Sequence, residues 1–299
     1  MIQAASRTPG RVSATTVSRP QSQLTIVWRQ LRRNRAAMLG AALISLEILI
    51  AVFAPLVAPY DPIEQSIYDA LQPPSAAHWL GTDEVGRDIL SRIIYGTRIS
   101  LRVGLLAVGI GSAIGVTLGL IAGFYGKMAD NLILRLMDIW LAFPGILLAL
   151  AIIAVLGPSL FNVMIAVGLS AVPTYVRVTR SSVLSVREME YVLGARAVGC
   201  PSRIIIWRHI LPNVLPSLIV LTTLGIAGAI LAAAALSFIG LGAQPPTPEW
   251  GAMLTVGRQF MRQAWWVTAF PGLAIMITVL GINLLGDGLR DALDPRLRR

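Results

Sequence analysis

The chain has little of what most enzymes use for chemistry: one cysteine (Cys200), one lysine (Lys127) and two histidines, His78 and His209. A single cysteine excludes an intramolecular disulfide and a cysteine-cluster metal centre, and no metal site is read elsewhere. There is no HExxH, no GxSxG and no GxxxxGK followed by Ser or Thr. Zinc-protease, serine-hydrolase and phosphate-loop chemistry therefore have no motif here, and the chain has none for binding ATP. Charge is scarce too. Charged residues are 13% of the chain and apolar ones 55%, with a mean hydropathy of +0.71; a soluble domain carries roughly 25% charged residues. A length of 299 residues ordinarily reads as two soluble domains. No soluble fold of that size has the interior to hide so much apolar surface, so lipid is the solvent for most of this chain.

The apolar residues fall into runs long enough to span. A spanning helix needs about 20 mostly apolar residues. The first run is about 36–58, with Glu47 near its middle, and it ends at Pro59-Tyr60-Asp61-Pro62. Its position and length fit a retained anchor rather than a cleaved signal peptide. The second is about 100–125. An uncharged stretch from Ile139 to Val176 is nearly two spans long, and Gly157-Pro158-Ser159 divides it, giving helices at about 133–155 and 160–178. The fifth follows Pro212, at about 213–239, and the sixth covers about 265–285, with Trp265 and Trp266 at one end like an aromatic belt. The expected fold is an all-α polytopic membrane protein with six transmembrane helices.

The net charge of +10 first suggests nucleic acid, but its placement tells another story. Nineteen of the twenty-five basic residues lie in the N-terminal tail, the connection after the second span, the segment between spans four and five, and the C-terminal tail. By the positive-inside rule that side is cytoplasmic, as are both termini. The excess charge reports orientation, and no nucleic-acid partner is expected. The two outer connections carry the proline-rich stretches Gln72-Pro73-Pro74 and Pro245-Pro246-Thr247-Pro248, which favour extended or turn backbone.

Four features invite a functional reading. Gly111, Gly115, Gly119 and Gly123 recur every fourth residue, along one helix face, and admit a neighbouring backbone within the bundle or from another subunit. Glu47 is an acid at membrane depth, which needs a partner or marks a proton or amine site. Asp138 precedes Phe143-Pro144-Gly145, where Pro144 breaks a backbone hydrogen bond and kinks the helix, as a gate would. The fourth is the cytoplasmic segment 179–212, long for a connector, in which Ala, Leu, Ile and Arg recur at near-helical spacing. A short helix, a turn at Gly199, a second helix and Pro212 at the start of span five predict a helical hairpin parallel to the membrane. Such an element docks on a partner and passes motion to two spans at once.

That segment resembles the coupling loop of ABC importer permeases, whose pattern is Glu-Ala-Ala, three residues, Gly, nine residues, Ile-x-Leu-Pro. Ala195, Gly199, Leu211 and Pro212 match in register, with Arg203 inside the interval; Leu193 replaces the glutamate, Gly194 an alanine and His209 the isoleucine. The run Gly81-Thr82-Asp83-Glu84-Val85-Gly86-Arg87-Asp88-Ile89-Leu90-Ser91-Arg92 resembles a signature of the dipeptide/oligopeptide/nickel group of these permeases. Gly242-Ala243-Gln244-Pro245-Pro246-Thr247-Pro248-Glu249-Trp250-Gly251 and the tail 286–295 resemble the "C" permease of dipeptide and glutathione importers. The resemblance covers residues 25–299. It implies a type I importer permease of the cytoplasmic (inner) membrane and divides the chain into four parts. These are a tail at 1–35, a first helix and outer loop at 36–97, a core at 98–287 with its coupling loop at 187–212, and a tail at 288–299.

It also implies partners: a homologous second permease, two ATPase subunits on the coupling loops, and an extracytoplasmic binding protein delivering a di- or oligopeptide, glutathione or nickel chelate. ATP and magnesium belong to the ATPases, and this chain is neither an enzyme nor a cofactor carrier. Two other classes compete with this reading. One is a scaffold without substrate, whose deletion leaves peptide uptake intact. The other is a proton-coupled secondary transporter using Glu47, which predicts uptake that survives ATP depletion and collapses with an uncoupler. Glu47→Gln then abolishes the proton dependence; uptake that stops with ATP depletion and tolerates this substitution excludes that route.

Overall fold

The structure is a computed structural model and describes residues 23–293. Tail residues Arg7, Arg11, Arg19, Arg296, Arg298 and Arg299, and the motif residues Asp294 and Pro295, lie outside the described residues. The elements in chain order are α1 (Gln23–Arg33), α2 (Arg35–Val52), α3 (Ala54–Val57), α4 (Ile89–Tyr125), α5 (Lys127–Leu141), α6 (Gly145–Leu156) and α7 (Leu160–Arg187). They continue with α8 (Glu190–Ala197), α9 (Ser202–Ile204), α10 (Leu211–Phe238), α11 (Trp250–Gly257) and α12 (Trp266–Leu293). Among the described residues the only β pairing is a single bridge between Thr82 and Asp88. Among the described residues five helices, α9 through α10 taken as one, are long and apolar enough to cross a membrane, and the bent pair α5–α6 brings the number to six when counted as one broken span.

Local chemistry sets the ends of these helices. Asn34, Asp88 and Ser159 cap α2, α4 and α7, each side-chain oxygen accepting a backbone N–H three residues on. Gly126 (φ +64°) and Gly157 (φ +87°) end α4 and α6 in backbone that only glycine adopts freely.

Four expected boundaries move. α4 begins at Ile89, eleven residues before the apolar run, because Asp88 and the outer loop nucleate it. The third span is not one helix: α5 and α6 meet at 86° around Pro144, which caps α6 and cannot continue the helix behind it. α7 runs on to Arg187, well past the apolar stretch. The fifth span starts at Ser202, not Pro212. Residues Ile205–Ile210 form a π-turn that carries α9 straight into α10, with Leu211 N–H bonding Ile206 O. The wider turn accommodates Pro212, and the Asn213 side-chain amide donates to His209 O at 2.7 Å.

The central pairing is α4 against α7. At Gly119 an added Cβ would stand 2.6 Å from Thr179 Cβ, at Gly123 2.7 Å from Val183 Cβ, and at Gly111 2.8 Å from Gly168 O. At Gly115 it would overlap the Cβ of Tyr175. The glycine face is thus filled from within the chain. A second seam joins α2 to α12, where Thr278 Oγ1 donates to Glu47 Oε1 at 2.9 Å and Gly40 lies against Gly281. The sixth span also departs from expectation. Trp265 is exposed, but Trp266 is buried and donates to Thr82 O at 3.2 Å, so only one of the pair is placed as a belt residue.

Gly115→Leu forces side-chain atoms into the α7 backbone and is expected to cost about 1–3 kcal/mol. Thermal unfolding in detergent checks this against Gly109→Leu, at a position with open space around it, which should leave the midpoint unchanged.

Candidate functional site

Two ends of the bundle carry the motif residues. At one end, expected from the charge distribution to be the outer one, residues 81–92 form a clasp. Asp83 accepts from the backbone N–H of Val85 (3.1 Å) and Arg87 (2.9 Å) and from Arg87 Nε (2.6 Å). Arg87 also donates to Glu84 Oε1 at 2.7 Å, and Arg92 Nε lies 3.5 Å from Asp83. Arg92 reaches across the chain, donating to Pro62 O at 2.9 Å and Pro246 O at 3.3 Å. Thr82 Oγ1 donates to Asp69 O and accepts from Gln72 N–H. Asp88 is 3% exposed. It caps α4, accepts from the Ser91 hydroxyl at 2.7 Å and sits 3.0 Å from His78 Nδ1. Gly81 and Gly86, at φ +79° and +81°, turn the backbone tightly enough to close this ring.

The second outer stretch docks onto the first. Trp250 is buried at 1% exposure and its Nε1 donates to Ile93 O at 3.2 Å. Glu249 caps α11, accepting from Gly251 N–H (2.9 Å) and Ala252 N–H (2.8 Å). Pro245 and Pro246 are joined by a cis bond, and the Pro246 carbonyl meets Arg92. Burial raises the Glu249 carboxyl above the ordinary 4.5, against its two backbone donors. Glu84 is also raised, by burial first and the adjacent Asp83 second. The charged and aromatic side chains of the clasp lock these loops to one another.

The opposite end, with the segment 187–212, is the exposed one. α8 leaves α7 at Arg187, whose Nη1 donates to Gly123 O at 2.9 Å. Gly199 (φ +79°) reverses the chain, and Cys200 N–H returns to Ala195 O at 3.1 Å. Val192, Ile205 and Ile210 are buried against Val183, Phe124 and Leu120, and Arg196 stacks over the Phe124 ring at 5.1 Å. These anchors were not singled out in the sequence, although the near-helical spacing there contains them. Leu193, Gly194, Gly199, Arg203 and Pro212 are exposed; Ala195, His209 and Leu211 are half-buried. Trp207 and Val198 are 69% and 79% exposed, so an apolar surface fringed by arginine faces away from the bundle.

The expected hairpin of two separate helices is corrected here: the first half is a helix, and the second half is the base of span five. Glu47 and Asp138 belong to neither end. Glu47 is held by Thr278 on α12, and Asp138 pairs with Arg177 of α7 at 2.7 Å, both side chains more than half exposed. Pro144 lies at the bend six residues on. Arg180 makes a second, bidentate pair with Asp130, so two arginines that sequence reading counted only for orientation also tie α7 to α5.

A many-helix bundle with a built clasp at one end and an open elbow at the other defines a multi-pass membrane permease. The chain belongs to the family of binding-protein-dependent transport system inner membrane components, whose model matches residues 115–299. Residues 22–74 match the N-terminal TM domain of oligopeptide transport permease C. It is 53% identical to the dipeptide transport system permease protein DppC of Alkalihalophilus pseudofirmus, over 93% of this chain and 94% of that one. It is 50% identical to the di/tripeptide transport system permease protein DppC of Pseudomonas aeruginosa, over 93% of each. To the glutathione transport system permease protein GsiD of Pectobacterium atrosepticum it is 48% identical, over 91% of this chain and 90% of that one. Its fold is similar to a chain of the inward-facing MetNI methionine ABC transporter, with a TM-score of 0.56 and 19% identity, over 69% of this chain and 98% of that one.

Because burial favours the protonated Glu249 carboxyl, the stability it contributes is lost as pH rises past the ordinary 4.5 through the raised value. Glu249→Gln keeps an acceptor for the cap and removes that titration. As pH rises past the ordinary 4.5 the wild-type melting midpoint should therefore fall relative to the variant's.

Proposed function

We propose that this chain is one of two homologous permeases that together carry short peptides inward across the cytoplasmic membrane, both its termini cytoplasmic. The observation that carries the mechanism is the elbow at 187–212. It joins α7 to α10 directly, its underside is anchored by Val192, Ile205 and Ile210, and its outer surface is apolar and exposed. Two ATPase subunits seat on this surface and its counterpart in the second permease, and bind the ATP and magnesium that this chain does not. Their closure moves α8, and α7 and α10 follow because both are covalently continuous with it. The outer clasp gives an extracytoplasmic binding protein a rigid platform, since its charges are paired inward rather than left to rearrange. The peptide class rests on the dipeptide and glutathione permeases among the relatives. Family membership favours this reading over proton coupling.

Gly199→Pro places a ring fixed near φ −65° where the chain needs +79°. Ala195→Arg drives a charge into the half-buried underside. In the assembled transporter each is expected to lower binding-protein-stimulated ATP hydrolysis and uptake by at least about tenfold, roughly 1.4 kcal/mol of coupling, with the chain still inserted. Normal coupled hydrolysis in both variants would remove the elbow from the mechanism.

A further inference from the structure

We infer that α1 is a docking face for anionic phospholipid, with Arg29, Arg32 and Arg33 binding headgroup phosphates of the leaflet at the elbow end, whatever substrate is carried. Asn34, in extended backbone (φ −85°, ψ 104°), separates α1 from the spanning helix α2, so α1 is a helix of its own. Its inner face is already used. Leu31 is buried and Val27 half-buried, and a Cβ on Gly288 of α12 would stand 3.4 Å from Leu31 Cδ1. That contact fixes which end α1 occupies. α12 is 28 residues long, about 42 Å at 1.5 Å per residue. Its first residue, Trp266, bonds Thr82 of the clasp, and Gly288 is in its last two turns, so α1 lies at the end opposite the clasp.

The remaining side of α1 has no partner. At roughly 100° per residue, Trp28, Arg32, Arg29 and Arg33 follow one another around it. All four are exposed, Trp28 by 55%. They line an open recess of about 310 Å³, where the Arg32 guanidinium stands 5.8 Å from the centre of the Trp28 ring. Among the described residues these three arginines form no ion pair, whereas Arg177, Arg180 and Arg187 of α7 each hold an acid. The acids on the adjoining last turns of α12 are Asp287 and Asp291, both exposed, and Asp291 accepts from Asn34 Nδ2 at 3.4 Å. Along the chain the first acid is Glu47, inside α2.

The position of this charge selects lipid over a soluble partner. Arg29 precedes Arg35, the first residue of α2, by about 9 Å of helix at most, so the cluster borders the hydrocarbon at headgroup depth. An exposed indole beside the arginines suits the same place, since its ring sits at the boundary between headgroup and hydrocarbon. A guanidinium holds a phosphate by two parallel hydrogen bonds and keeps its charge at physiological pH. Zwitterionic lipids offer the same phosphate but cancel its charge with an amine. Three clustered cations therefore favour a headgroup of net negative charge, each by about fivefold near such a surface.

The test uses the assembled transporter in phosphatidylcholine proteoliposomes, with dibrominated phosphatidylglycerol or dibrominated phosphatidylcholine added in steps. Bromine quenches a nearby indole, and subtracting the signal of the same protein carrying Trp28→Phe isolates Trp28. Wild type is expected to reach half-maximal quenching at a phosphatidylglycerol fraction at least about tenfold below that for phosphatidylcholine. The triple variant Arg29→Gln, Arg32→Gln, Arg33→Gln is expected to bring the two lipids within about twofold. Lysine at the same three positions keeps the charge that orients the first span, and should retain at least about a threefold preference. Binding-protein-stimulated ATP hydrolysis confirms assembly of each protein. Equal quenching by both lipids in wild type overturns the assignment, and so does quenching by neither, which would mean that α1 faces protein or water. A preference that survives the glutamine substitutions unchanged places the lipid site elsewhere, and a lysine protein without preference removes charge as its cause; either result also overturns it. If the glutamine protein fails to assemble, the wild-type ratio and the lysine protein decide the matter.

Discussion

The close approach of α4 and α7 is the contact on which the rest of the molecule depends. In lipid there is little hydrophobic gain in bringing two helices together, so association rests on dispersion between surfaces that fit. Four glycines on α4 bring its backbone against Gly168, Val172, Tyr175, Val176, Thr179 and Val183 of α7. α4 is 37 residues long, about 55 Å at 1.5 Å per residue. Its first turn is part of the outer clasp through Asp88 and Arg92, and its last turn holds Arg187 and lies under Arg196. One continuous helix therefore ties the clasp at one end of the bundle to the elbow at the other.

The interruptions in the bundle are placed where that rod is not. Pro144 breaks the third span into α5 and α6, and the π-turn at Ile205–Ile210 interrupts the regular ladder below α10. Arg177–Asp138 and Arg180–Asp130 tie the broken span to α7. The helices adjoining the elbow are thus clamped laterally by ion pairs and glycine contacts, with irregular backbone confined to short stretches. Charge is divided in the same spirit. In the clasp Asp83, Arg87, Asp88 and Arg92 are buried, with Asp83 beside both arginines, whereas Arg196, Arg203 and Arg208 of the elbow are exposed.

Much of this was legible in the chain itself. Apolar run length gave the number of spans, because lipid imposes it on every residue of a crossing helix. The four-residue glycine spacing gave a packing face, and the motif spacing gave the clasp and elbow as segments. Their contacts were not legible. Nothing local says that Trp266 serves the outer clasp rather than the membrane surface, since its acceptor, Thr82, is 184 residues away. Pro212 looked like a helix start because proline usually is one, and the π-turn that lets the helix run through it depends on how Ile205 and Ile210 are buried.

The sequence by itself determined the solvent, the apolar runs that become membrane helices, the connections in which the charge clusters and the family resemblance, because each is a property of composition or short-range spacing. The tertiary structure alone decided what the special residues meet: Thr278 for Glu47, Arg177 for Asp138, and α7 for the glycine face. Those pairings join helices far apart in the chain, and only their packing sets which side chains come within hydrogen-bond range.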